Sequence, residues 1–165
     1  VVPYDAQWTV QFQQEAESIR EALQPLVVAI HHIGSTSIPA MCAKPVIDIL
    51  LEVSDIEAVD CYNEQMRQLG YVAKGEFGIA GRRFFLKGEI HRTHHIHAFM
   101  AGSPEVLRHL LFRDYMIAHP VDAERYGVLK RKLAQQYRYD NEGYCTGKDA
   151  FIKEIDQKAA DWKIS

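Results

Sequence analysis

Apolar residues recur at helical spacing in the N-terminal segment: Trp8, Phe12, Ile19 and Leu23 share one stripe, Asp5 precedes them as an N-cap, and Pro25 follows as a stop. A packing helix to about Leu23 is predicted. The period then changes. Residues 27–33 are β-branched and apolar, as in a buried strand, and the pattern breaks at Gly34-Ser35-Thr36-Ser37. After Pro45, an extended run over 46–53 sets Ile47, Ile49, Leu51 and Val53 on one face and Val46, Asp48, Leu50 and Glu52 on the other. Asp48 therefore stands mid-strand among apolar neighbours.

Ser54 with Glu57 three residues on is a capping-box signature for a second helix, carried by Ile56, Val59, Met66 and Leu69 and closed by Gly70. Short strands are predicted at 71–72, 82–87 and 94–100, with glycines at 75, 78, 81 and 88 supplying the turns. From Ser103-Pro104 onward the chain reads as three helices, about 104–118, 122–138 and 147–162, the last capped by Thr146, with 140–147 as the loop before it. Helix, then five strands interrupted by one helix, then three helices is an α+β (α/β mixed sheet) pattern, with the sheet in about 27–100 and helices covering it. No repeat or linker divides the chain, so a single domain over 1–165 is expected.

The 165 residues are 47% hydrophobic and 25% charged, which excludes a disordered or low-complexity chain. Nineteen Lys plus Arg against 22 Asp plus Glu leave a net charge of −3, so no global positive field exists to hold a nucleic-acid backbone, and none is expected as a partner. Cys42, Cys61 and Cys145 have neither the density of a disulfide scaffold nor the paired spacing of a zinc ribbon, and read as free thiols of a reducing compartment. No apolar run approaches the roughly 18 residues needed to cross a bilayer, and VVPYDAQW lacks the regions of a secretory signal. A cytoplasmic location without membrane contact is the expectation.

Four features could carry chemistry. A strand ending in Gly-Ser-Thr-Ser brings hydroxyls and backbone N–H groups to the mouth of a sheet, where glycine allows close approach of a phosphate oxygen; an ordinary polar turn has the same composition. It is neither a Walker loop nor a dinucleotide fingerprint. Asp48, inside an apolar strand, needs a partner: a metal ion, Lys44, an arginine, a histidine or backbone N–H groups. In His94-His95-Ile96-His97, alternation puts His95 and His97 on one face, where with Asp48 they could hold a metal. Arg82, Arg83, Lys87, Arg92, Arg113, Lys130 and Lys148 are cations that could meet phosphates, and periodicity does not say which of them faces Asp48. Glu52, about 13 Å along the strand at roughly 3.3 Å per residue, is too far from Asp48 to share an ion.

The run HHIGSTSIPAMCAKPVIDILLEV, followed by LGY at 69–71, RRFFLK at 82–87, HHIH at 94–97, FRDYMIAHP at 112–120, YCTGK at 144–148 and Trp162, resembles the GrpB family over essentially the whole chain. The GSTS-[IV]-P block followed by KP-x-x-D is the most specific part. The resemblance implies a nucleotidyltransferase-like fold of the DNA polymerase β superfamily with a helical C-terminal part, and in some relatives fusion to the kinase of dephospho-CoA. It further implies that Gly34 and Ser35 occupy a phosphate turn and that Asp48 is the first carboxylate of an Asp-x-Asp strand; for a nucleotidyltransferase-like enzyme, Thr36 and Ser37 are expected to hold phosphates beside them and Lys44, Arg82 or Arg83 to meet the developing charge. The superfamily's carboxylates hold two metal ions that clamp the attacking and leaving oxygens. This chain departs from that pattern, because Leu50 stands at the second acid and His95 or His97 at the third. One acid plus imidazoles suits a single divalent ion (magnesium, manganese or zinc) held by Asp48, His95 and His97, with Asp48 and His97 as the catalytic pair. Ala40 stands where relatives commonly have glycine after the proline. The expected activities are binding of a nucleoside triphosphate or phosphorylated metabolite with nucleotidyl transfer to a small acceptor, an inactive nucleotide- or coenzyme-A-pathway ligand-binding module, or metal-dependent hydrolysis at the histidine cluster. Whether the chain is an enzyme is left open at this point.

Overall fold

The alternation at 46–53 becomes the second strand of a five-stranded mixed sheet in the computed structural model, which describes residues 1–164. The strands are β1 (Val27–Ile33), β2 (Ile47–Val53), β3 (Tyr71–Ala73), β4 (Arg83–Lys87) and β5 (His94–Met100), in spatial order β1-β2-β5-β4-β3. Only β2 and β5 run parallel, and the long excursion between them supplies the crossover that parallel neighbours require. Five helices accompany the sheet: α1 (Gln7–Leu23), α2 (Asn63–Gln68), α3 (Pro104–Ala118), α4 (Pro120–Gln136) and α5 (Asn141–Ile164). Among the described residues no helix is long and apolar enough to cross a membrane.

The two faces of β2 meet different partners. Ile47, Ile49, Leu51 and Val53 join Ile96 and Ala98 of β5 and pack on Trp8, Ile19 and Leu23 of α1. On the opposite face Leu50 packs with Ile33, Phe99 and Val106 of α3, so burial on both sides accounts for its near-continuous apolar run. A third cluster ties the C-terminal helices to the loop after the GSTS turn, through Ile38, Met41, Tyr115, Met116, Tyr126, Ile155 and Ala159. One end of the second face, around Asp48, is left uncovered by apolar residues.

Three local expectations are corrected. The second helix is a 3₁₀ turn over Glu57–Tyr62 followed by the six-residue α2, and it is started by Asp55, whose Oδ1 accepts from the amides of Glu57 (3.1 Å) and Ala58 (3.3 Å). Ser54 instead reaches the Leu26 carbonyl at 3.5 Å. The strand expected from 82 starts at Arg83, leaving Arg82 in the preceding turn. Residues 141–147 of the expected loop 140–147 are helix: Asp140 Oδ1 accepts from the Gly143 amide at 3.0 Å and caps α5 six residues before Thr146. Its glycines allow close packing, since a Cβ at Gly143 would lie 2.5 Å from Tyr137 Cδ1, and one at Gly147 2.5 Å from Leu133 Cδ2.

Candidate functional site

Gly34 ends β1 with a φ of +73°, and its missing side chain is what admits Asp48: a Cβ there would stand 2.7 Å from Asp48 Oδ2. The three residues that follow form one 3₁₀ turn. Two of its hydroxyls are occupied internally, because Ser37 Oγ donates to the Gly34 carbonyl (2.5 Å) and Thr36 Oγ1 pairs with His32 Nε2 (2.8 Å). Ser35 lies near the Tyr126 hydroxyl. The ring of His32 stacks on Phe12 at 4.9 Å, and burial pushes it down to about 4 despite the Asp48 charge.

Parallel pairing sets Asp48 opposite His95, and the two-residue alternation brings His97 to the same face. Asp48 Oδ1 lies 3.5 Å from His95 Nδ1 and 3.2 Å from His97 Nε2. Burial pushes the carboxyl up, but the adjoining His95 and then His97 imidazoles outweigh it and hold Asp48 well below the usual carboxylate range. Behind His97, Arg82 places Nη1 3.4 Å from Nδ1 while its Nε and Nη2 donate to the carbonyls of Glu76 (3.1 Å) and Phe77 (2.8 Å). Its guanidinium covers the Phe84 ring at 4.6 Å, and none of these partners is a carboxylate. Arg83 points elsewhere, to Asp60 Oδ1 at 2.8 Å, and takes no part in the site. His109 of α3 was not indicated by the sequence. Its ring centre is 5.6 Å from that of His97, and burial, with Arg108 beside it, pushes it down to about 4.

In front of Asp48 opens a cavity of about 270 Å³ between the sheet and the helices. Ser35, Thr36, Lys44, Asp48 and His95 form one wall; Lys130 of α4 and Asn141, Tyr144, Cys145 and Lys148 of α5 form the other. Gly34, Ser37, Arg82 and His97 stand behind the lining. Lys44 Nζ donates to Asn141 Oδ1 at 2.7 Å and sits 3.9 Å from the centre of the Tyr144 ring, with Lys148 Nζ 4.5 Å from the same ring. Lys130 is 1% exposed, donates to the Cys42 carbonyl, and lies 4.7 Å from the Tyr126 ring. Burial pushes its amine down to about 7 and also lowers that of Lys148. Among the described residues none of these three lysines forms an ion pair with a carboxylate, so the cavity suits a multiply charged anion.

The sequence had placed Lys130 and Lys148 only among scattered cations, and Asn141, Tyr144 and Cys145 in a loop. A signal existed for Lys130, which follows Tyr126 and precedes Leu133 on the buried stripe of α4. Among the described residues no group of three or more His, Cys, Asp and Glu side chains has the geometry to hold a metal ion. A two-magnesium centre does not fit either, because the second acid position is Leu50, fully buried in the core.

The family model described as GrpB protein matches residues 1–158. The UPF0157 protein YqkA of Bacillus subtilis (strain 168) is 50% identical over 163 residues, which cover 99% of this chain and 48% of that protein, so the chain spans about half of that relative's length. The crystal structure of the conserved protein GrpB from Enterococcus faecalis matches with a TM-score of 0.96 and 41% identity over 99% of both chains. A cytoplasmic RNA terminal U-transferase shares the fold alone, with a TM-score of 0.55 and 11% identity over 85% of this chain and 43% of that one. The nucleotidyltransferase-like sheet is thus common to both neighbours, and with the family model covering nearly every residue the chain belongs to the GrpB family.

Proposed function

We propose that the chain binds a phosphorylated small molecule, a nucleoside triphosphate or a phosphorylated metabolite, with its phosphates in the cavity between β2 and the first turns of α5. The observation that carries this reading is the convergence of Lys44, Lys130 and Lys148 on one cavity with, among the described residues, no carboxylate ion pair. Three such ammonium groups repel one another, and a buried one costs desolvation energy; an anion with several oxygens offsets both. Ser35 adds a hydroxyl at the same mouth, and Gly34 keeps the turn close to Asp48.

Nucleotidyl transfer to a small acceptor is the further step suggested by the shared fold, with Asp48 beside the reacting phosphate. Binding without turnover is the alternative, favoured by one specific observation: Leu50, sealed in the core, removes the second acid that the two-metal reaction uses. Calorimetric titration with ATP, inorganic triphosphate and coenzyme A tests the binding reading. At least one is expected to bind, and Lys148→Ala is expected to weaken it roughly tenfold, the effect of losing one charge-assisted contact. No heat and no thermal shift with any of these ligands at millimolar concentration overturns the reading. Pyrophosphate release from bound ATP would separate transfer from binding.

A further inference from the structure

We infer that Asp48 is held in place without a resident metal, by a relay in which Arg82 is the fixed cation, His97 donates to one carboxylate oxygen, and His95 faces the same oxygen. An imidazole that ligates a metal offers a lone pair at one nitrogen and donates the proton on the other to an acceptor. Neither histidine meets that condition. The outer nitrogen of His97, Nδ1, faces the Arg82 guanidinium at 3.4 Å, and a guanidinium only donates. Nδ1 therefore accepts, the proton sits on Nε2, and Nε2 donates toward Asp48 Oδ1 at 3.2 Å with no lone pair left for an ion. The outer nitrogen of His95, Nε2, is buried with no partner among the described residues, so a proton moved there would be an unsatisfied donor; it stays on Nδ1, which faces Asp48 Oδ1 at 3.5 Å.

Arg82 cannot swing aside to release this arrangement. Two loop carbonyls and the Phe84 ring fix its guanidinium, and the residue is 7% exposed. It is a positioning residue, acting on the carboxylate through His97. An ion carried in on a ligand's phosphates would find only Asp48 Oδ2, the oxygen that lies against Gly34. The inference rests on reading this cavity as the functional site. Its test uses ligand-free protein, so it and the phosphate reading can fail separately.

Long-range ¹H–¹⁵N correlation spectra of the ligand-free, tag-free protein at pH 7.5 report which ring nitrogen carries each proton. The expected result is an Nε2–H tautomer for His97 and an Nδ1–H tautomer for His95, both unchanged by a chelator or by one equivalent of zinc, manganese or magnesium. A reversed tautomer in His97, or either ring responding to a stoichiometric metal, overturns the inference. In Arg82→Met, His97 is expected to populate both tautomers and to respond to zinc. A folded Arg82→Met that keeps a pure Nε2–H tautomer removes Arg82 from the relay, and the wild-type spectra decide the metal question if that variant does not fold.

Discussion

Lys130 combines two properties that oppose each other at a single residue. Its ammonium is buried with the Cys42 carbonyl as acceptor and, among the described residues, in no ion pair with a carboxylate, which makes it an unfavourable tenant of α4 and a strong recognition group for an anion. Because burial pushes it down to about 7, the folded chain binds fewer protons there than the unfolded chain between about pH 7 and the ordinary lysine value of about 10.4. Stability contributed through this group therefore rises with pH across that window, and the burial penalty is largest below pH 7. Lys130→Met is expected to raise the melting temperature of ligand-free protein more at pH 6 than at pH 9, and to reduce anion binding. Melting curves at the two pH values check the first part, and a variant less stable than wild type at pH 6 contradicts it.

At the scale of elements, the site depends on how closely α5 approaches α4. Asn141, Tyr144, Cys145 and Lys148 lie at 3-1-3 spacing, one face of the first turns of α5, and Gly147 lets that face close on Leu133. Gly147→Ala would drive a methyl group to 2.5 Å from Leu133 Cδ2, prising the helices apart, and is expected to lower both melting temperature and ligand affinity although residue 147 touches no ligand. Gly127→Ala is the matched control. Its Cβ would meet Cys42 Sγ at an ordinary 3.6 Å, so the helix-propensity gain of about 1 kcal/mol is expected to appear as a higher melting temperature with affinity unchanged. Thermal melts and titrations of the two variants test the contrast.

Glycine packing also explains what the sequence concealed. Gly143 reads as loop punctuation because local propensity cannot report a helix packed against its neighbour, and Asn141, Tyr144 and Cys145 disappear into that loop. By contrast, Asp48, His95 and His97 were legible, since two-residue alternation alone fixes which side of a strand each occupies. Alternation could state that Arg82 and Arg83 diverge but not which one turns to His97; the choice lies in the Glu76 and Phe77 carbonyls of the preceding turn. The strands and the last three helices followed from periodicity. The 3₁₀ character of Glu57–Tyr62 did not, because capping by Asp55 rather than Ser54 is a matter of side-chain reach.

For the molecule as a whole, buried imidazoles set the response to acid. Burial pushes His32 and His109 down to about 4, so between about pH 6.5 and 4 the unfolded chain takes up protons that the folded chain refuses, and stability falls as pH drops through that window. Asp48 acts in the same sense, at lower pH. Held below the ordinary carboxylate range, it contributes stability that is present above its unfolded value and is lost only as pH falls towards its depressed one. Urea denaturation at pH 7, 5.5 and 4.5 is expected to show a steady decline in wild type and a shallower one in His109→Gln, whose amide oxygen can still accept from Arg108. Parallel slopes for the two proteins would remove His109 from this account.

The contact between Gly34 and Asp48 has an evolutionary corollary. A carboxylate at 48 fills the space that any side chain at 34 would enter, and the backbone at 34 already has a left-handed φ of +73°. Among descendants of this fold the two positions are therefore free to drift only jointly. A lineage that exchanges the glycine for a larger residue must also have surrendered the acid, and with it whatever work this corner of the sheet performs.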